Sequence, residues 1–170
     1  GVVRAEASQD SGFAMQMRLG TQVLAFSGSY SLGGLSGGFL AGYKTGRVVL
    51  GLGLDFQRMT VAGSGPYATS STSTGVLLVP SISIAGLRAA DGRVEMFGQL
   101  DLGVGAVISD YSNLVRFTYK AGPGLRYWVS PNFGVSALAH VSGEHAWSTS
   151  GGSASDQLSI GATVGMLAVF

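Results

Sequence analysis

The carboxyl-terminal part of the chain alternates between two kinds of residue over a long stretch. From Gln157 to Phe170 the even-numbered positions are Leu, Ile, Ala, Val, Met, Ala and Phe, whereas most odd-numbered positions are Gln, Ser, Gly or Thr. A period of two places successive side chains on opposite faces of an extended strand. The segment is therefore predicted to be a β-strand whose two faces meet different surroundings.

The same alternation recurs along most of the chain. Strands are predicted at residues 12–26, 35–45, 47–61, 74–87, 92–108, 115–128, 133–146 and 157–170. In each, one face carries large apolar residues and the other carries most of the glycines and charges. Pro80 lies inside the fourth strand and lacks the N–H that a ladder requires, so a bulge or a local break is expected there.

The segments between the strands alternate in length. Short turns rich in Gly, Asp, Pro and Asn are predicted at 45–46, 89–92 and 130–132, and longer loops at 27–34, 62–73, 109–114 and 147–156. Short turns at one end and longer loops at the other are typical of outer-membrane barrels, in which the short turns are periplasmic. The predicted fold is all-β, an eight-stranded antiparallel up-and-down transmembrane β-barrel over residues 12–170, preceded by an N-terminal periplasmic segment at residues 1–11.

Composition favours a membrane barrel over a soluble one. Charged residues make up 11% of the chain, against about 25% in ordinary soluble domains, and no apolar run approaches the ~18 residues of a membrane helix. A lipocalin-like or avidin-like barrel would place the apolar face inward, where eight strands leave too little room for so many large side chains. The 28 glycines suit a narrow interior.

Charge and cysteine content exclude several functions. The net charge of +1 gives no reason to expect nucleic acid as a partner, and without cysteine the chain has no disulfide or thiol chemistry. No cofactor and no metal site are expected. The first twelve residues lack the apolar core of a signal peptide, so the sequence is expected to be a mature form.

The final strand resembles the closing strand of bacterial outer-membrane β-barrels. It has Gly165 five residues before Phe170, although the usual aromatic residue two before the end is replaced by Ala168. The whole pattern resembles the small eight-stranded barrels of the OmpA/OmpX-like class. That resemblance implies a bacterial outer-membrane location, with membrane lipid as a partner and with Gly165 and Phe170 as an insertion signal for the barrel insertion machinery. A monomer is also expected.

Six charged residues are predicted to point into the lumen from the middle of strands. They balance in sign and are Arg18, Asp55, Glu95, Asp101, Lys120 and Arg126. Counting residues along each strand from the short turns places Arg18, Glu95 and Arg126 in a tier nearer the periplasmic end. The other three are placed in a tier nearer mid-barrel. Because buried charges need partners, a salt-bridge network that fills the lumen is favoured over an ion or proton path.

His140 and Ser142 form the second candidate site. The His-x-Ser spacing resembles that of eight-stranded outer-membrane lipid A deacylases, in which the His takes the serine proton. Here the family's Asn is replaced by Gly143, its Glu by Ala154, and alternation points both residues inward, away from lipid. A metal site with Glu144 and His145 is rejected because His140 and His145 lie on opposite strand faces.

The aromatic residues near strand ends are assigned to an interfacial girdle. They are Tyr43, Tyr119, Tyr127, Trp128, Phe133 and Phe170. The predicted function is therefore a non-enzymatic outer-membrane barrel, a structural or interaction module with a polar lumen filled by side chains. The alternatives are a lipid A-modifying hydrolase that uses His140 and Ser142, and a narrow pore.

The outward apolar face predicts that folding depends on an amphiphile. We expect the chain to acquire β-structure in detergent or lipid vesicles and to aggregate in plain buffer, because the face that water would meet is apolar. Circular dichroism after dilution from urea, with and without detergent, checks this. A stable monomer with the same spectrum in plain buffer would contradict the membrane interpretation.

Overall fold

The computed structural model describes residues 10–24, 32–62, 70–109, 113–149 and 155–170. Its eight strands are β1 Ser11–Leu24, β2 Leu32–Thr45, β3 Val48–Ala62, β4 Ser70–Arg88, β5 Val94–Ser109, β6 Asn113–Ser130, β7 Phe133–Ser148 and β8 Ser155–Val169. Among the described residues, no helix has the length and apolar character needed to cross a membrane.

The strands form a closed antiparallel barrel in sequence order. Each strand pairs with its neighbours along the chain, and β8 pairs with β1 from Ala14 opposite Val169 to Leu24 opposite Ser159. The backbone of Phe170 continues this seam through two hydrogen bonds with Phe13, with N···O distances of 2.8 and 3.1 Å. Closure leaves no unpaired strand edge, and the predicted fold class is confirmed.

Seven of the eight strands, β2 to β8, are longer than predicted at the end opposite the short turns, whereas β1 is described to Leu24 and was predicted to residue 26. β4 begins at Ser70 and β6 at Asn113, within segments predicted as loops. Much of the predicted loops, at 25–31, 63–69, 110–112 and 150–154, and residues 1–9 of the predicted N-terminal segment lie outside the described residues. At Pro80 the β4–β5 pairing is interrupted between Leu78 and Ser81 without a change of register, so the outcome is a local break rather than a bulge.

The two short turns that contain glycine have a backbone requirement. Gly46 between β2 and β3 has φ of 54°, and Gly92 between β4 and β5 has φ of 71°. These left-handed conformations are costly for residues with a Cβ atom. They fix the tight connections at the end that also holds the start of β1 and the end of β8, as the sequence predicted.

The two faces of the strands separate as the alternation predicted. Outward apolar side chains are exposed, with Leu19 at 68% and Val164 at 59%, whereas the inward Arg18 and Thr163 are 4% and 6% exposed. The interior also contains large apolar residues that the faces assigned from sequence did not include. They are Leu40, Leu77, Val79, Phe97, Val107 and Leu138, together with the members of the cluster described next.

An apolar cluster occupies the lumen at the short-turn end. It consists of Ala14, Val49, Trp128, Leu167 and Val169, all inward and buried. The assignment of Trp128 to the interfacial girdle was therefore wrong: it is 2% exposed. As an even-numbered residue of β6, Trp128 shares the inward face of Arg126, and nearness to a strand end does not change that face.

The barrel predicts a depth-dependent penalty for charge on its outer face. Val164→Arg, halfway along β8, should lower the free energy of unfolding by about 2–4 kcal/mol, because the charge enters the bilayer midplane. Ile108→Arg, at the upper end of β5 opposite Thr74, should cost only about 0–1 kcal/mol near the interface.

Urea unfolding in lipid vesicles measures both penalties, and Val164→Leu controls for packing. Similar losses for Val164→Arg and Ile108→Arg would show that this face does not cross an apolar layer.

Candidate functional site

Four charged side chains meet in the middle of the lumen. Arg18 on β1 donates to Asp101 on β5 at 2.8 Å and to Asp55 on β3 at 2.9 Å. The Lys120 ammonium on β6 lies 3.4 Å from Asp101 and 3.8 Å from Asp55. Two cations therefore face two carboxylates, and their contacts span the barrel from one wall to the other. We call these four residues the central layer.

Neutral side chains complete the central layer. Gln99 donates its amide N–H groups to both carboxylate oxygens of Asp101, at 2.9 and 3.1 Å. The Ser81 hydroxyl donates to Asp101 at 2.5 Å. Asp101 therefore accepts hydrogen bonds from Arg18, Gln99 and Ser81, which compensates a carboxylate that is only 2% exposed.

Gly38 makes room for the central layer. It lies on β2 between Arg18 on one side and Asp55 on the other in the strand pairing. A Cβ atom at Gly38 would overlap the Asp55 carboxylate oxygen that accepts from Arg18. Glycine at this position lets the Asp55 side chain lie across β2 and reach Arg18.

A second charged layer lies nearer the short-turn end. Arg126 on β6 donates to Glu95 on β5 at 2.6 Å, and Arg88 on β4 lies 3.0 Å from the other Glu95 oxygen. The Arg126 guanidinium lies 4.6 Å above the centre of the Phe97 ring, and Lys44 lies 5.8 Å from that of Trp128. We call these residues the lower layer, which adjoins the apolar cluster through Trp128.

A third charged pair lies nearer the long-loop end. Arg116 on β6 and Glu144 on β7 are 2.8 Å apart, and Arg116 also donates to Gln57 at 3.2 Å. This upper layer is absent from the predicted set of lumen charges. Alternation places Arg116 on the face of Lys120 and Glu144 on that of Ser142, so the signal was present in the sequence.

The predicted tiers were wrong for one residue. Arg18 was assigned to the periplasmic tier with Glu95 and Arg126, but its ion pairs are with Asp55 and Asp101. Counting residues from a turn gives a position along one strand. It does not give the height along the barrel axis, because the strands of a barrel are tilted. Glu95 and Arg126 contact each other, and Asp55, Asp101 and Lys120 lie together as expected.

His140 and Ser142 face the lumen and are buried. His140 is 4% exposed and packs against Gly161, and the Ser142 hydroxyl lies 2.7 Å from that of Ser159. Gly143, which follows Ser142, lies on the opposite strand face beneath the ring of Tyr119. Neither His140 nor Ser142 meets the bilayer side of the barrel, where a lipid ester would arrive.

The His145 ring and the Asp156 carboxylate form a separate hydrogen-bonded pair on the outer face at the long-loop end. The ring of Trp147 lies 5.4 Å from that of His145. Within the described ranges, no group of three His, Cys, Asp or Glu side chains is arranged to hold a metal ion. These residues lie at the polar boundary of the outer face and not in the lumen.

The space between the central and upper layers is small. A cavity of about 20 Å³ is lined by Asp55, Asp101, Lys120, Ser142 and Glu144 among others. That volume is about the room needed for one water molecule. The side chains that line this cavity therefore leave room for about one water molecule between them.

The two residues proposed as an insertion signal occupy different surroundings. Gly165 faces the lumen between Arg18 and Ser136, where a Cβ atom would lie 3.0 Å from the Met17 carbonyl oxygen. Phe170 is 66% exposed at the short-turn end of the outer face. Close packing in the lumen is thus a sufficient reason for glycine at position 165.

Comparison with known proteins places the fold. No family model and no curated protein matches the chain. Its structure is similar to that of Neisserial surface protein A, with a TM-score of 0.67 and 16% identity over 95% of this chain and 100% of that one. Two further structures match with lower scores: the N-terminal β-barrel domain of Pseudomonas aeruginosa OprF (TM-score 0.41, 16% identity, 94% and 98% covered) and Ail, the attachment invasion locus protein of Yersinia pestis (0.49, 13%, 95% and 98%).

The likeness to Neisserial surface protein A concerns the fold. It confirms the predicted fold, a small eight-stranded β-barrel.

The central layer predicts a large cost for removing one charge. Asp101→Ala should lower the free energy of unfolding by about 3–5 kcal/mol, because Arg18 and Lys120 then lose a shared buried partner. Asp156→Ala removes a carboxylate from the exposed pair with His145 and should cost about 0–1 kcal/mol. Urea titrations in detergent measure both, and equal losses would mean that water solvates the central layer.

Proposed function

We propose that this chain is a non-enzymatic outer-membrane barrel that acts as a structural or interaction module and is closed to ions. The observation that supports this most is the bridge from Arg18 to Asp101 and Asp55, which joins β1, β3 and β5 across the lumen. An ion would have to displace these contacts, and each broken pair leaves an uncompensated buried charge.

The other layers support the same proposal. The lower layer pairs Glu95 with Arg126 and Arg88, and the apolar cluster around Trp128 fills the lumen below it. Above the central layer, Arg116 pairs with Glu144. A permeant ion would have to pass three charged layers and one apolar constriction in series.

A catalytic role for His140 and Ser142 gains no support. A lipid hydrolase needs its nucleophile and base on the side from which the acyl chains arrive, whereas both residues are buried in the lumen. The Ser142 hydroxyl is engaged with Ser159, and His140 lies against Gly161. A role in filling the interior accounts for both.

The proposed partners follow from this interpretation. Membrane lipid would cover the outward apolar face, and the barrel insertion machinery would recognise the closing strand with Gly165 and Phe170 during biogenesis. The proposed state is a monomer, since the closed barrel has no strand edge for a second chain to extend.

Planar-bilayer recording tests whether the lumen is closed. The unmodified protein should give no steady single-channel current. Asp101→Ala should remain silent although it is less stable, because the lower layer and the apolar cluster still fill the lumen. Steady currents from the unmodified protein, altered by substitution of Lys120 or Glu95, would overturn the proposal in favour of a narrow pore.

A further inference from the structure

The outer face has an apolar groove in its upper half, towards the long-loop end. The groove has a volume of about 530 Å³ and crosses β8, β1, β2 and β3. Its floor is formed where outward residues are small, at Gly37 and Ala162, and its walls by Leu19, Leu35 and Phe56. A second groove, of about 940 Å³, adjoins it towards the short-turn end and shares Leu19, Phe56 and Val164.

Among the described residues that line this groove, one is a cation, and it lies at the upper end. Outward positions of β3 are apolar from Val48 to Phe56, and the next outward residue is Arg58, which lines the groove and is exposed. Its strand neighbours are Leu35 on β2 and Thr74 on β4. Arg58 therefore lies at the boundary where the apolar band ends.

Arg58 differs from the other charges on the described part of the outer strand faces. His145 and Asp156, at the same end of the barrel, are hydrogen-bonded to each other, whereas Arg58 forms no ion pair with another described residue. A guanidinium is suited to phosphate because its N–H groups match two phosphate oxygens. A phospholipid has a charged headgroup next to apolar chains, and here a cation lies next to an apolar groove. Arg58 could therefore contact the phosphate while the groove contacts a chain.

We propose that this groove holds one phosphorylated membrane lipid, with an acyl chain across the floor at Gly37 and Ala162 and its phosphate on Arg58. The inference rests on the outward face lying in a bilayer, and it adds a specific lipid site to that general contact. The small residues Gly37 and Ala162 set the floor below the side chains of Leu19, Leu35 and Phe56, which suits a flexible chain better than the convex wall of a second barrel.

Native mass spectrometry of the barrel released from detergent tests the site directly. The probes are phosphatidic acid, diacylglycerol with the same saturated chains, and inorganic phosphate. We expect phosphatidic acid to bind about tenfold more tightly than diacylglycerol, the factor that one charge-assisted phosphate contact supplies. R58Q should remove this difference, and R58K should retain most of it.

Substitutions in the groove test the chain-binding half of the site. Ala162→Leu fills the floor with an apolar group and should weaken both lipids. Val164→Phe serves the same purpose if Ala162→Leu does not fold. The matched controls should bind as the unmodified protein does: Ala121→Leu, an outward alanine of β6 away from both grooves, and Arg93→Gln in the short turn after β4.

Four results would overturn the proposal. They are equal binding of phosphatidic acid and diacylglycerol, unchanged binding in R58Q, full competition by inorganic phosphate, and a lipid-free dimer that Ala162→Leu disrupts. The third would indicate a simple anion site and the fourth a second copy of the chain. All four are independent of conductance, so a barrel closed to ions can lack this lipid site and a conducting barrel can have it.

Discussion

Charged side chains inside an eight-stranded barrel have little water to solvate them, and the rest of the interior is arranged around this constraint. An isolated buried charge costs several kcal/mol, which is a large part of the free energy of unfolding of a small protein. Arg18 on β1 is paired with the carboxylates of Asp55 on β3 and Asp101 on β5, and Lys120 on β6 adds a second cation to the same carboxylates. The contacts that make these charges tolerable also occupy the cross-section of the lumen, so pairing and closure have one physical cause.

Ion pairs across the lumen need space on the neighbouring strands, which glycine provides, as well as opposite charges. Gly38 leaves the space through which Asp55 reaches Arg18, and Gly124 leaves the space for the ring of Phe97, over which Arg126 lies. In both cases a large side chain on one strand covers a glycine on the neighbouring strand. The high glycine content therefore reflects close packing of inward residues rather than flexible backbone, and Gly46 and Gly92 in the short turns have a separate reason in their positive φ.

The fold could be predicted from the sequence, but only part of the side-chain arrangement in the lumen could be. A period of two identifies strands and assigns each side chain to a face, and this was sufficient for the barrel and for the inward position of Asp101 and His140. Partners across the lumen depend on strand tilt and register, which alternation does not contain, so Arg18 was placed in the wrong tier. The omission of Arg116 from the lumen charges and the assignment of Trp128 to the girdle had another cause. Alternation places both residues inward, but their position near strand ends was given more weight.

The outer face indicates the two ends of the barrel independently of the loops. At the short-turn end its border is aromatic, with Tyr43, Tyr127 and Phe133 exposed beside the exposed ring of Phe170. At the other end the border carries charge, in Arg58 and in the pair His145–Asp156. Aromatic rings settle at the level of lipid headgroups, whereas a guanidinium gains most where phosphate is within reach. On the described outer strand faces, the apolar band therefore ends mainly in aromatic rings at the short-turn end, and at the other end in Arg58 and the pair His145–Asp156 with Trp147 beside it.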